Sequence, residues 1–238
     1  MMASTAMDNA AAREVLPACF IERLFIMESC PMILAGIRRL LTRPEFKVER
    51  YLQAPSMGEL SVAMLQQQAD LFMMELGGEG ESVLEGMRAI CHLMGTWSLT
   101  RLIVCTALAD ARLLKQLKAM GVGGIYLKQD PLSALTLCIH EVMSDKKSYS
   151  PQIVALVEPD KLHPPLLTPR EMDVLGCLFA GKSVTNTALT LHRDIRTIST
   201  HKRNAMTKLE FHNDCELYTW GAWLSRHGSL REDEKHRA

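Results

Sequence analysis

The chain has 238 residues, 47% of them hydrophobic, and its 27 basic and 27 acidic side chains give a formal charge of zero. That length allows two modest domains with ordinary cores, while no apolar run approaches the roughly 20 residues needed to cross a bilayer. The N-terminus lacks the apolar block of a secretory signal, so the expectation is a folded cytoplasmic protein with no membrane segment.

The seven cysteines are odd in number, and none is paired at CxxC spacing. Cys19, Cys105, Cys138 and Cys177 sit in apolar stretches, a pattern of reduced core thiols rather than of disulfides or a zinc site. No metal and no cofactor is indicated. Residues 1–18 are expected to be a disordered extension. From 19 to 145, short apolar runs alternate with helical periodicity.

Strands are predicted at Leu24 to Met27, Phe46 to Leu52, Leu71 to Met74, Leu102 to Cys105 and Gly124 to Leu127. Helices are predicted at Met32 to Leu41, after the capping box Ser56-Met57-Gly58-Glu59, at Glu81 to Leu93, at Asp110 to Met120 closing on Gly121, and at Leu132 to Met143 behind Asp130-Pro131. Five strands alternating with five helices imply an α/β, doubly wound, five-stranded parallel sheet. Chemistry in such a sheet collects at the carboxyl ends of the strands. The residues there are Glu28, Glu75, Thr106 and Lys128: either a constellation, or strands that simply end in polar residues.

Residues 146–166 carry four prolines, Pro151, Pro159, Pro164 and Pro165, and are expected to be a linker with one short helix from Gln152 to Val157. An all-α, four-helix unit follows over 167–226. Thr168-Pro169-Arg170-Glu171 caps Met172 to Ala180, and Val184 to Leu191, Arg196 to Leu209 and Asp214 to Leu224 are the remaining helices, before a charged tail from 227 to 238. Between 193 and 208, five cations (Arg193, Arg196, Lys202, Arg203 and Lys208) face one acid, Asp194. This stripe is either a solvated helix face or a surface for an anion. Two short helices joined by a tight turn, the second one basic, can place a recognition helix in the DNA major groove. Ile198, Ala205 and Leu209 can face inward, which turns Arg196, Ser199, Thr200, Lys202 and Arg203 outward. Cations neutralise phosphates, whereas Arg203 can pair with guanine and Ser199 or Thr200 can touch base edges.

"LLTPREMDVLGCLFAGKSV" and "LHRDIRTISTHKRNAMTKL" together resemble the LuxR/FixJ-type helix-turn-helix domain over about 50 residues without a gap. The second stretch is similar to the RcsB/BglJ group. The resemblance implies base contacts from Ser199, Thr200 and Arg203, and backbone contacts from Arg196, Thr197, Lys202 and Lys208. His201 matches a family histidine that packs against the preceding helix. Thr187 departs from the family, which has an aliphatic residue there. Leu217, Trp220 and Leu224 share a face of the last helix, a dimer surface in the family, although an apolar stripe at this spacing is more often core than interface.

Residues 20 to 145 then resemble a response-regulator receiver. That likeness assigns Thr106 to the switch position and Lys128 to the pairing lysine, with Glu28-Ser29 where two acids hold magnesium and Glu75 where an aspartate takes phosphate. Magnesium demands near-ideal octahedral geometry, and an acid longer by one methylene, roughly 1.5 Å, displaces the nucleophile enough to cost on the order of a hundredfold. The expected site is therefore a degenerate phosphorylation site. Its Glu75 either imitates the phosphorylated state, through Lys128 or Thr106, or forms a structural pair with the lysine.

The reading is a DNA-binding transcription regulator, independent of phosphorylation, acting as a homodimer or as a heterodimer with an RcsB-type regulator, with RNA polymerase as a further partner. The alternative is a conventional phosphorylation-controlled response regulator. An α/β enzyme with a helical appendage is disfavoured, since the chain has no GxGxxG after its first strand, no GxxxxGK[ST] and no nucleophile elbow.

Overall fold

The structure, a computed structural model, describes residues 18–56, 69–77, 80–96, 101–157 and 165–228. The N-terminal extension through 17, the tail from 229 and the helix expected after Ser56 lie outside the described residues.

Strands β1 (Cys19–Met27), β2 (Phe46–Ala54), β3 (Leu71–Met74), β4 (Leu102–Thr106) and β5 (Gly124–Leu127) alternate with helices α1 (Pro31–Leu41), α2 (Val83–Thr96), α3 (Ala111–Ala119) and α4 (Leu132–Met143). They form one sheet in the order β2-β1-β3-β4-β5-β6, and every pairing is parallel. Every residue of β3, β4 and β5 is buried, as central strands covered on both faces require. Alternation along the strands feeds two cores. Leu24, Ile26, Leu71, Met73 and Ile103 meet α1 and α4 on one face. Phe25, Met27, Phe72, Met74 and Val104 meet α2 and α3 on the other, with Phe25 and Phe72 stacked at 5.6 Å.

The sheet has six strands rather than the expected five. β6 (Ser148–Tyr149) pairs with β5 inside the stretch read as linker, and helix α5 (Pro151–Leu156) follows it. Two residues are too few to show an alternating pattern, so the chain stays on the sheet longer than its prolines suggest. A second correction concerns α4, where Pro131, not Asp130, is the N-cap, and no side chain caps the helix. Tyr126 instead ties this turn down, its hydroxyl donating to the backbone carbonyl of Asp130 at 2.6 Å.

The helical unit comprises α6 (Pro169–Phe179), α7 (Val184–Thr190), α8 (Ile195–Lys208) and α9 (Asp214–Gly228). The Thr168–Glu171 capping box on α6 is the one the sequence announces, and two further caps appear: Ser183 accepts from the backbone of Asn186 on α7, and Asp194 from that of Arg196 on α8. His192, with φ 51°, turns the chain between α7 and α8. Thr187 is fully buried, and its hydroxyl has no hydrogen-bond partner among the described residues.

This unit packs on α2 and α3, and one apolar core runs through both, joining Met87, Leu113 and Leu117 to Met172, Leu209, Leu217, Trp220 and Leu224. Polar contacts fix the arrangement. Gln116 donates to the carbonyl of Pro165 and accepts from the amide of Leu167 at 3.2 and 2.9 Å. Arg112 donates to the carbonyl of Leu209 at 2.9 Å and lies over the Phe211 ring, and Arg88 stands 2.6 Å from Asp173.

Candidate functional site

Strand register assembles the receiver edge. Met27 pairs with Met74 and Thr106 with Leu127, so Glu28, Glu75 and Lys128, each one residue past a strand end, converge. The ladder continues just beyond the strands, with the Glu75 amide donating to the carbonyl of Met27 and the Lys128 amide to that of Thr106. The ammonium of Lys128 stands 2.5 Å from Oε1 of Glu75 and 2.8 Å from Oε2 of Glu28. The Ser29 hydroxyl donates to the other oxygen of Glu75 at 3.1 Å, and the Cys30 amide to the other oxygen of Glu28 at 2.9 Å.

Burial, then the charge of Glu75, hold the Glu28 carboxyl above its ordinary range, against the opposing pull of Lys128. Burial disfavours the charge on Lys128, but Glu75 and Glu28 together outweigh it and leave the ammonium harder to deprotonate than usual. Both shifts follow from enclosing three charges away from water. Thr106 does not join them: it is buried, and its hydroxyl accepts from the amide of Leu108 at 3.1 Å, turned toward its own loop. The residues present do not fit a magnesium ion. The two carboxylates enclose an ammonium, and no group of three metal-ligating side chains occurs among the described residues.

Ile198 and Ala205 on α8 and Leu209 at its C-cap are buried, as the periodicity predicts. Arg196, Thr197, Thr200 and Arg203 are exposed, and Ser199 is half-buried. Ser199 and Thr200 donate their hydroxyl protons to the carbonyls of Ile195 and Arg196, both at 2.9 Å. Arg196 and Arg203 have no ion-pair partner among the described residues.

The two lysines differ. Lys202 stands 2.6 Å from Asp214 and lies over the Tyr218 ring, while Lys208 is held by Glu171 at 2.7 Å and by the carbonyl of Leu166 at 2.9 Å. Both ammonium groups are turned toward neighbouring helices, away from the outward face on which the sequence reading put Lys202. A signal for Lys202 was present, since it is four residues after Ile198 and three before Ala205 and so shares their flank. Leu217, Trp220 and Leu224 are buried in the core shared with α2 and α3, so in this arrangement the stripe is core. Ser29, named from the sequence only as standing where a second acid is expected, binds Glu75, and the docking residues Asp110, Arg112 and Gln116 are the site residues that sequence reasoning missed. Of these three, Asp110 carried a signal, as the start of a helix.

Residues 165–220 match the family of bacterial regulatory proteins described as luxR. With the parallel sheet in front of them, they define the class: a DNA-binding transcription regulator of LuxR/RcsB type, with a receiver domain followed by a helix-turn-helix domain. The chain is 26% identical over 208 residues to the transcriptional regulatory protein RcsB of Salmonella typhi and to that of Escherichia coli K12, covering 83% of this chain and 92% of each relative. Among solved structures it is similar to RcsB as two dimers bound to two parallel DNAs (25% identity, TM-score 0.54, 84% of this chain and 97% of that one). RcsB of Salmonella enterica serovar Typhimurium bound to promoter rprA in the presence of phosphomimetic BeF3- shares the fold (24% identity, TM-score 0.61, 86% of this chain and 98% of that one). No helix among the described residues is long and apolar enough to cross a membrane.

Proposed function

We propose that this chain is a cytoplasmic, non-enzymatic regulator that binds specific double-stranded DNA through α8 without being phosphorylated. It acts as a homodimer or as a heterodimer with an RcsB-type regulator, and recruits or blocks RNA polymerase. The observation that carries the reading is the ammonium of Lys128 standing between Glu28 and Glu75 at 2.8 and 2.5 Å. A phosphorylation site needs an aspartate and a metal at that position, and here both carboxylates are already bound to the lysine. Glu75 is thus a fixed charge paired with Lys128, which supports permanent activity over switching by phosphate. Arg196, Thr197, Ser199, Thr200 and Arg203 form the DNA-facing set. Lys202 and Lys208 join it only by leaving Asp214 and Glu171.

Two measurements test the proposal. Incubation with acetyl phosphate and magnesium, followed by intact mass determination, should leave the mass unchanged; a gain of one phosphoryl group would establish the conventional response regulator instead. Mobility shifts with and without added Escherichia coli RcsB decide the assembly. Tight, specific DNA binding by this chain alone, unaffected by RcsB, would rule out an obligate heterodimer.

A further inference from the structure

Ile195 is the first residue of α8, and 49% of its surface is exposed. Helix formation does not call for a large apolar residue there, since the cap is supplied by Asp194 and isoleucine is a mediocre helix former. Its neighbours along the helix are what give it meaning. Residues four apart stack one above another on a helix surface, so Ile195, Ser199 and Arg203 form one ridge: an apolar group, a hydroxyl and a guanidinium. The bond from the Ser199 hydroxyl to the carbonyl of Ile195 ties the first two together.

The hydroxyls matter as well. Ser199 and Thr200 have given their protons to backbone carbonyls, so what they offer outward is acceptor lone pairs and, for Thr200, a methyl group. They cannot donate to a thymine oxygen without breaking those bonds, and Arg203 is the guanine-pairing group of the ridge, so contact with a thymine there falls to the apolar side chain. A recognition helix sets its N-terminal residues against base edges, and the one apolar group the major groove displays is the thymine C5-methyl.

Resting on the DNA-binding reading of α8, we propose that Ile195 is a specificity-determining residue that packs on the C5-methyl of a thymine in each half-site that this chain occupies. The contact is van der Waals and hydrophobic, and it distinguishes thymine from cytosine by the methyl alone.

The test uses the full chain and double-stranded DNA enriched from a randomised pool, with the chain alone and with Escherichia coli RcsB added. The enriched site is resynthesised with deoxyuridine in place of each thymine in turn. Loss of one buried methyl should weaken binding about fourfold at one thymine in each half-site that this chain occupies. Ile195→Ala should abolish that difference, and Ile195→Val should keep most of it. Because Ile195 is half-exposed, both variants should unfold at the wild-type temperature, which separates lost recognition from lost folding. The inference is overturned if no thymine shows the deoxyuridine effect, or if Ile195→Ala retains it. Failure to enrich any sequence under either condition overturns the DNA-binding reading and this inference with it.

Discussion

The indole N–H of Trp220, on the last helix, donates to Oδ1 of Asp110 at 3.2 Å. The same oxygen accepts from the amide of Leu113 at 2.9 Å and so caps α3. One carboxylate therefore starts a receiver helix and holds the helix-turn-helix unit against it. The loop that carries it begins at Thr106, whose hydroxyl accepts from the amide of Leu108, so Thr106 and the domain contact are four residues apart.

Replacing Trp220 by Phe removes the donor and part of a buried ring that packs edge-on to Phe179, with centroids 5.9 Å apart. Asp110 keeps Leu113, so no orphaned acceptor is created, and the expected cost is about 1–2 kcal/mol in urea denaturation. Asp110→Ala should cost more, because the cap, worth about 1 kcal/mol, is lost as well. Hydrogen exchange should rise at the start of α3 in both variants. Protection unchanged there would show that the contact does not hold the domains together.

Lys128→Met leaves two adjacent carboxylates without their cation. Near neutral pH this should cost about 3–5 kcal/mol, as expected when one partner of a buried ion pair is removed. The pH dependence has a definite sign. Glu28 is raised by burial and by Glu75 even with the lysine present, so its folded value lies above its unfolded value of about 4.3. The folded state then holds a proton that the unfolded state releases. Its contribution is full below the unfolded value and is lost as pH rises through the folded one. The variant should therefore recover stability relative to wild type on acidification, and Glu28→Gln in the same background should recover it at neutral pH. A deficit that does not vary with pH would place the energetic role of Lys128 elsewhere.

Thr187→Val should stabilise the protein by about 1 kcal/mol, because it replaces a buried hydroxyl that makes no hydrogen bond among the described residues by a methyl of similar size. Thermal unfolding measures it directly. A destabilised variant would mean that the hydroxyl is satisfied in solution.

Arg203→Ala and Arg196→Ala should fail differently on DNA. Loss of a guanine-reading Arg203 should cost about 1–3 kcal/mol on the specific site and relax the preference at one base pair, leaving non-specific binding nearly unchanged. Loss of a phosphate-binding Arg196 should weaken all sequences alike and lower the salt slope by about one. Titrations at several salt concentrations, on specific and random duplexes, distinguish the two. Identical behaviour of both variants would refute the division of roles along α8.

Much of this was written in local sequence. The runs LFMM and GIYL became β3 and β5 with the predicted ends, because central parallel strands need unbroken apolar residues and stop where polarity returns. The Thr168–Glu171 capping box, the glycine turn at Gly121 with φ 84° and the inward ridge of α8 were likewise legible, since each depends only on neighbours within one or two turns. The edge strand Ser148–Tyr149 was not, being too short to carry a period. For the same reason of range, the tethering of Lys202 and Lys208 depends on Asp214 and Glu171, 12 and 37 residues away.

The sequence by itself determined that Glu28, Glu75, Thr106 and Lys128 end strands of one parallel sheet, and that a basic helix follows a second helix in the manner of a DNA reader. It left open whether Glu75 imitates the phosphorylated state, through Lys128 or Thr106, or forms a structural pair with the lysine. Only the tertiary structure decided that Lys128 lies between the two glutamates, that Thr106 turns away from them, and that the Leu217, Trp220 and Leu224 stripe is spent on the receiver. The reason is physical: strand ends follow from local polarity, but where a long flexible side chain puts its charge follows from which counter-charges and which water the assembled fold leaves within reach.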